Sequence, residues 1–302
     1  MTEHTETVYL DYAATTPLDP RVRERMLEFM DSAGGFGNPA SATHDFGRTA
    51  DAAVADAAAA VAALINAYPA ELVWTSGATE SDNLAIIGAA RFRAMQGRHV
   101  ITAATEHKAV LESCAQLERE GFSVTYLRPD SSGIISPEQV GAALQSDTVL
   151  VSIMHANNEN GVVQDIAAIG KICREADVLF HVDAAQSAGK LSIDVRRDSI
   201  DLLSLNAHKA CGPKGIGALY LNAERVPRVE PLLFGGGQQR GLRPGTLPEH
   251  QIAGMGETFR ILAAEMKAEV ARVGELRDKL WQGLAAVPDV ALYGHPAARL
   301  SS

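Results

Sequence analysis

The chain has 302 residues, 46% hydrophobic and 21% charged, with a net charge of -10; this is an ordinary globular composition that excludes intrinsic disorder. The acidic balance, with no Lys/Arg cluster, excludes a nucleic-acid backbone as partner. Three widely spaced cysteines, Cys114, Cys173 and Cys211, build neither a disulfide framework nor a zinc site.

The opening Met1-Thr-Glu-His-Thr-Glu-Thr7 is acidic where a secretory or transit peptide is basic, and no apolar core follows it. No uninterrupted apolar run approaches the roughly 18 residues of a membrane span. A soluble protein of a reducing cytoplasm is therefore expected. The length exceeds the roughly 150 residues typical of one domain, so one large domain and a minor one are expected.

In chain order, the Ala-rich stretch from Thr49 to Asn66 reads as a helix whose apolar stripe is Val54, Val61, Leu64 and Ile65. Short β-rich runs then alternate with helical patterns: Glu71–Thr75, His99–Thr102, Ser123–Leu127, Thr148–Ile153, Val178–Val182, Asp201–Leu205 and Ala218–Leu221. Several are apolar nearly throughout, as strands covered on both faces are, so the expected fold is α/β with a mainly parallel sheet. From Pro248 to about Ala285 the pattern turns to long amphipathic helix, and a domain change is expected there. Val290–Tyr293 then reads as the first strand of a new sheet, with nothing left to pair with before Ser302.

Three strand ends carry chemistry. Thr75-Ser-Gly-Ala-Thr-Glu80 leaves a strand and opens a helix, so its backbone amides and the Thr79 hydroxyl can receive a phosphate; on its own the pattern also fits a plain N-cap. Asp183, in His181-Val-Asp-Ala-Ala-Gln-Ser187, sits at the carboxyl end of an apolar strand, where ligands of open sheets gather and a carboxylate seeks a cation. Without the other motifs it reads as a helix cap. Ser204-Leu-Asn-Ala-His-Lys209 runs into Gly212-Pro-Lys-Gly-Ile-Gly217, and Lys209 can reach the same cleft. Lys214 competes, but Lys209 leaves the strand first and follows His208.

Together with Leu10–Pro17, Phe36–Ser41, Thr75–Asn83, Thr105-Glu-His107, Asn157-Asn-Glu159 and Arg243-Pro-Gly-Thr246, these motifs resemble the class V aminotransferase group. Within it they resemble the pyridoxal-phosphate (PLP) dependent cysteine desulfurases that feed iron-sulfur cluster assembly. The resemblance implies an α/β, fold-type I PLP-transferase: a mainly parallel sheet covered on both faces, with an incomplete small C-terminal domain. Residues 16–262 would form the large domain, and 1–15 with 263–302 the remnant of the small one.

The implied roles transfer position by position. Lys209 would carry PLP as a Schiff base and His107 would stack on its ring; these two are the catalytic candidates. Asp183 would pair with the ring nitrogen, and Asn158 and Gln186 would bond near the phenolic oxygen. Ala78, Thr79 and His208, with Asn206 and Ala207 beside them, would hold the phosphate, and Thr246 would reach the phosphate of the neighbouring subunit in a homodimer. The implied substrate is L-cysteine, converted to L-alanine, with persulfide sulfur passed to an iron-sulfur scaffold protein and other acceptors, tRNA thiolation among them.

Relative to that family the chain is expected to stop before the loop cysteine that takes the sulfur and an arginine that pairs with the substrate carboxylate. Apolar surface beyond Pro248 is expected to lie exposed in consequence. Cys114 and Cys173 read as buried small hydrophobes, and Cys211, in a Gly-Pro turn, as a poor substitute nucleophile. Asn206 stands where the family offers a hydroxyl, and Asn160 would cost about 1 to 3 kcal/mol if buried without partners. Two rival readings are a selenocysteine lyase, which forms alanine without a loop cysteine, and a PLP-binding remnant that is inert without a longer partner.

Overall fold

A computed structural model describes residues 7–32, 34–226 and 228–301. Its centre is a seven-stranded sheet of β1 (Leu72–Thr75), β2 (His99–Ala103), β3 (Ser123–Leu127), β4 (Thr148–Ser152), β5 (Leu179–Asp183), β6 (Leu202–Asn206) and β7 (Gly217–Leu221). The order is β1-β7-β6-β5-β4-β2-β3. Each of the seven β-rich runs between Glu71 and Leu221 forms a strand, within a residue or two at its ends. Only β7 runs antiparallel, pairing β1 on one side and β6 on the other; the remaining pairs are parallel.

Both faces of the sheet are covered, which is why the strands read as continuous apolar runs. Alternate residues feed two cores. Trp74, Ile101, Val151, Phe180, Leu203 and Tyr220 face α2 (Asp45–Leu64) and the start of α7 (Glu249–Leu284), while Val73, Val100, Leu179, Leu202 and Leu219 face α3 (Ala78–Phe92) and α4 (Lys108–Arg119). Each fully buried Leu, Ile or Phe in these layers contributes about 1.5 to 3 kcal/mol. The remaining helices are α1 (Pro20–Leu27), α5 (Pro137–Ala143) and α6 (Ile166–Glu175).

Helix α2 begins four residues earlier than the Ala-rich pattern suggests, because His44 caps it by accepting from the Gly47 amide at 3.2 Å. The pattern from Pro248 onward is one 36-residue helix. Its buried residues end at Phe259; further along, Leu276, Leu280 and Leu284 are exposed, as expected for apolar surface beyond Pro248.

One expectation is corrected, and one conditional cost does not apply. Val290–Tyr293 forms no strand; the pairing comes later, where Arg299 bridges Val162 and the Val163 amide donates to Ala298 at 2.9 Å. A run of apolar residues signals burial or extension but does not name its partner. Asn160 is half-buried and satisfied: its Oδ1 accepts from the Val162 amide at 3.0 Å and its backbone oxygen from Arg299 at 3.2 Å. The penalty for an unpaired amide therefore does not arise.

Candidate active site

A cavity of about 770 Å³ opens at the carboxyl ends of the parallel strands, where open α/β sheets place ligands. Five strand ends contribute to it. From β1 come Ser76 to Glu80, from β2 His107, from β4 Met154, Ala156, Asn158 and Glu159, from β5 Asp183, Ala185 and Gln186, and from β6 Asn206, His208 and Lys209. Antiparallel β7 starts at the same end, so Lys214 and Gly215 line the rim.

The first turn of α3 is the anion-receiving wall. Its N-cap is Gly77, which has no side chain to accept from the first amides, and whose φ of 152° suits glycine. These amides, with the helix dipole, point an electropositive end at the cavity. Gly217 is needed for the approach of β7, because a Cβ there would lie 2.5 Å from the Leu205 oxygen and 2.7 Å from Gly77. Glu80 receives the Ser76 amide at 2.7 Å and Arg243 at 2.8 Å, tying the loop that carries Thr246 to this helix.

Across the cavity, Asp183 is 6% exposed, and one of its oxygens accepts from the Ala185 amide at 2.8 Å. Burial raises its pKa, while the Ala185 amide and the charges of Lys209 and His107 pull it back. Lys209 has its pKa lowered by burial, with Asp183 and Asp82 opposing; its amine is thereby biased toward the neutral, nucleophilic form. His107 caps α4, its Nδ1 accepting from the Ala109 amide at 3.1 Å. That bond fixes the orientation of the ring.

The turn bearing Lys209 is held from two sides. Asn206 Oδ1 accepts from the Lys209 amide at 3.3 Å, and Ala207 oxygen accepts from the Ala210 and Gly212 amides at 3.0 Å each. Thr16 clamps the other side: its hydroxyl donates to the His208 oxygen at 2.8 Å and accepts from the Cys211 amide at 2.7 Å. His208 Nδ1 lies 3.1 Å from the Thr15 hydroxyl, and Gln186 donates to the Ala13 oxygen at 2.9 Å.

Most residues singled out from the sequence therefore converge: Ala78, Thr79, His107, Asn158, Asp183, Gln186, Asn206, His208 and Lys209 line one cavity. Two do not. Ala207 is fully buried behind the turn, and Thr246 is exposed outside the cavity. Cys114 and Cys173 are buried and Cys211 is exposed, with Cys211 held at a φ of 59°. Sequence reasoning missed the clamp of Ala13 to Thr16, and also Asp82, which lines the cavity from inside α3. A polar residue at the helical period of a buried face is the signal that could have found Asp82.

A buried carboxylate facing a cavity, a lysine with a depressed pKa beside it and a helix N-terminus opposite fit the ring nitrogen, aldehyde and phosphate of PLP. This arrangement on a seven-stranded, mostly parallel sheet defines a fold-type I PLP enzyme. Residues 8–302 match the family described as Aminotransferase class-V, and the chain belongs to that family.

Within the family it stands among the cysteine desulfurases. It is 58% identical over 287 residues to "Cysteine desulfurase IscS" of Serratia proteamaculans, covering 95% of this chain and 71% of that one. It is 56% identical to the protein of the same name from Shewanella loihica, covering 97% and 72%. A solved structure titled "NIFS-LIKE PROTEIN" superposes with a TM-score of 0.92 at 36% identity, over 97% of this chain and 80% of the other. Another, "SspA in complex with cysteine", has a TM-score of 0.80 at 48% identity, over 84% and 72%.

Proposed function

We propose that this chain carries out PLP-dependent desulfuration of L-cysteine in the cytoplasm, forming L-alanine as an attacking thiolate takes the substrate sulfur and becomes a persulfide, from which the sulfur passes to iron-sulfur scaffold proteins and other acceptors. The observation that carries the reading is that Lys209 and Asp183 meet in one cavity opposite the start of α3.

Bound there, PLP supplies an electron sink for charge developing at the substrate α-carbon. Lys209 would be the residue that holds the cofactor aldehyde, and its free Nζ would be the base that takes the substrate α-proton and returns it. Burial favours this role by keeping the free amine less basic than an exposed lysine. Asp183 would pair with the ring nitrogen and hold a negative charge beside it. His107, fixed by the Ala109 amide, would stack on the ring, and Asn158 and Gln186 would bond near the phenolic oxygen. Ala78, Thr79, His208 and Asn206 receive the phosphate. Ala207, buried away from the cavity, serves through its backbone by shaping the Lys209 turn.

The exposure of Thr246 on a loop tethered to Glu80 through Arg243 suits a reach into the neighbouring subunit of a homodimer. A boundary between a large domain of residues 16–262 and the remainder is supported by the course of α7, whose buried residues end at Phe259. The test is alanine formation from L-cysteine by protein reconstituted with PLP and supplied with a thiol reductant, compared with Lys209→Ala. The wild-type protein forms alanine and the variant does not; equal rates would overturn the assignment.

A further inference from the structure

Three carboxyl groups lie buried around the floor of the cavity: Asp183 at the end of β5, Asp82 in the second turn of α3, and Glu106 just beyond β2. Asp82 and Asp183 line the cavity, whereas Glu106 does not. Asp82 is 1% exposed, and its Oδ1 has no hydrogen-bond partner among the described residues. With Oδ1 unpaired, an ionised carboxylate in that position would lack part of the donor set that makes burial of charge tolerable.

The groups facing Asp82 do not supply the missing charge. His181 on β5 is a titratable group beside it, its Nε2 3.6 Å from Asp82 Oδ1. That imidazole is held between two hydroxyls, with Nδ1 2.8 Å from Ser152 Oγ and Nε2 3.0 Å from Ser204 Oγ. Burial pushes its pKa down to about 3, so it is neutral at physiological pH. Asp183 and Glu106 are of like sign and disfavour ionisation of Asp82; the Ser204 hydroxyl and Lys209 oppose them. Burial is the largest influence, and the net direction for Asp82 is well upward. Glu80, on the same helix, is occupied by Arg243.

We propose that Asp82 is the proton reservoir of the cofactor site: a positioning residue that rests as the neutral acid beside ionised Asp183 and gives up its proton when a cationic ring nitrogen arrives. The proposal rests on the PLP reading of the cavity. In the step, the Asp82 O–H bond breaks and its electron pair stays on the carboxylate. The proton passes to the ring nitrogen if that enters unprotonated, or to solvent if it enters as pyridinium. No oxidant or reductant is required. The site thus meets the incoming cation with two negative charges, yet leaves only one to be borne in its absence.

Because every other proton exchanged on binding is common to both proteins, the reservoir appears as a difference between the wild type and the isosteric Asp82→Asn. PLP is titrated into each apo-protein calorimetrically in two buffers of different ionisation enthalpy. The expected result is that Asp82→Asn takes up about one proton more from the buffer, or releases about one fewer, per site than the wild type. Equal proton counts with PLP bound would overturn the inference while leaving the cofactor reading intact. No binding at all by the wild type would sink both.

A second measurement is spectroscopic. In wild-type protein carrying 13C-labelled aspartate, a label-sensitive carboxylic-acid carbonyl band in the infrared is present without PLP and lost on binding it. The label separates this signal from Glu106, and its absence from the PLP-free spectrum of Asp82→Asn separates it from Asp183, which burial also pushes upward. A band absent from the start, or unchanged by binding, would contradict the reservoir.

Discussion

Gly217→Ala tests whether the anion-receiving wall depends on the close approach of β7. The added Cβ would stand 2.5 Å from the Leu205 oxygen and 2.7 Å from both the Cα and the carbonyl carbon of Gly77. These are backbone atoms of two different elements, so no side-chain rotation relieves the contact. Overpacking of this kind costs about 1 to 3 kcal/mol. At about 2 to 4 °C per kcal/mol, the melting temperature of the apo-protein should fall by roughly 2 to 12 °C.

The strain falls on Gly77, the N-cap of α3, so PLP affinity should fall with it, by about tenfold for each 1.36 kcal/mol that reaches the first turn. Gly283→Ala, near the end of α7 where a Cβ meets nothing within 4 Å, is the control. It should raise stability by up to about 1 kcal/mol and leave affinity alone. Thermal melts and PLP titrations of the three proteins decide the matter. If Gly217→Ala melts and binds like the wild type, the packing argument is wrong.

Asp183→Asn can still accept from the Ala185 amide but loses the charge that pairs with the ring nitrogen. Removing one member of such a buried pair costs about 3 to 5 kcal/mol, so PLP affinity measured by cofactor fluorescence should drop by about two to nearly four orders of magnitude; a loss below fivefold would contradict the pairing. Burial pushes the thiols of Cys114 and Cys173 up to about 12, and only Cys211 is exposed. A native thiol titration should therefore show one fast-reacting group per chain, lost in Cys211→Ser. Burial pushes His155 down from 6.5 to about 4, so between these values the unfolded chain takes up a proton that the folded chain refuses. Its contribution to stability is complete above about pH 6.5 and is lost as pH falls toward 4. Urea midpoints should follow this course, and His155→Gln should flatten it; an unchanged slope would show that His155 is not responsible.

The strands were legible because a sheet covered on both faces leaves long apolar runs, and the turn motifs at Gly77, Asp183 and Lys209 stood out because each interrupts such a run with residues a core does not want. The strand order and the reversal of β7 were not legible, since pairing across the sheet leaves no period in the chain. The segment at Val290–Tyr293 misled because a short apolar run does not require a pairing partner, whereas the true pairing at Arg299 has no apolar signature. Asp82 was hidden because an acidic residue inside a helix ordinarily faces water. The clamp of Thr15 and Thr16 on His208 and Cys211 joins residues more than 190 positions apart, a separation that no local pattern encodes.

The central claim is a covalent one, and it is tested by reducing the PLP-loaded protein with borohydride, digesting it, and locating the pyridoxyl group by mass spectrometry. The adduct should sit on Lys209 and disappear in Lys209→Ala. An adduct on Lys190 or Lys214 instead, or none on a protein that has taken up PLP, would contradict the account.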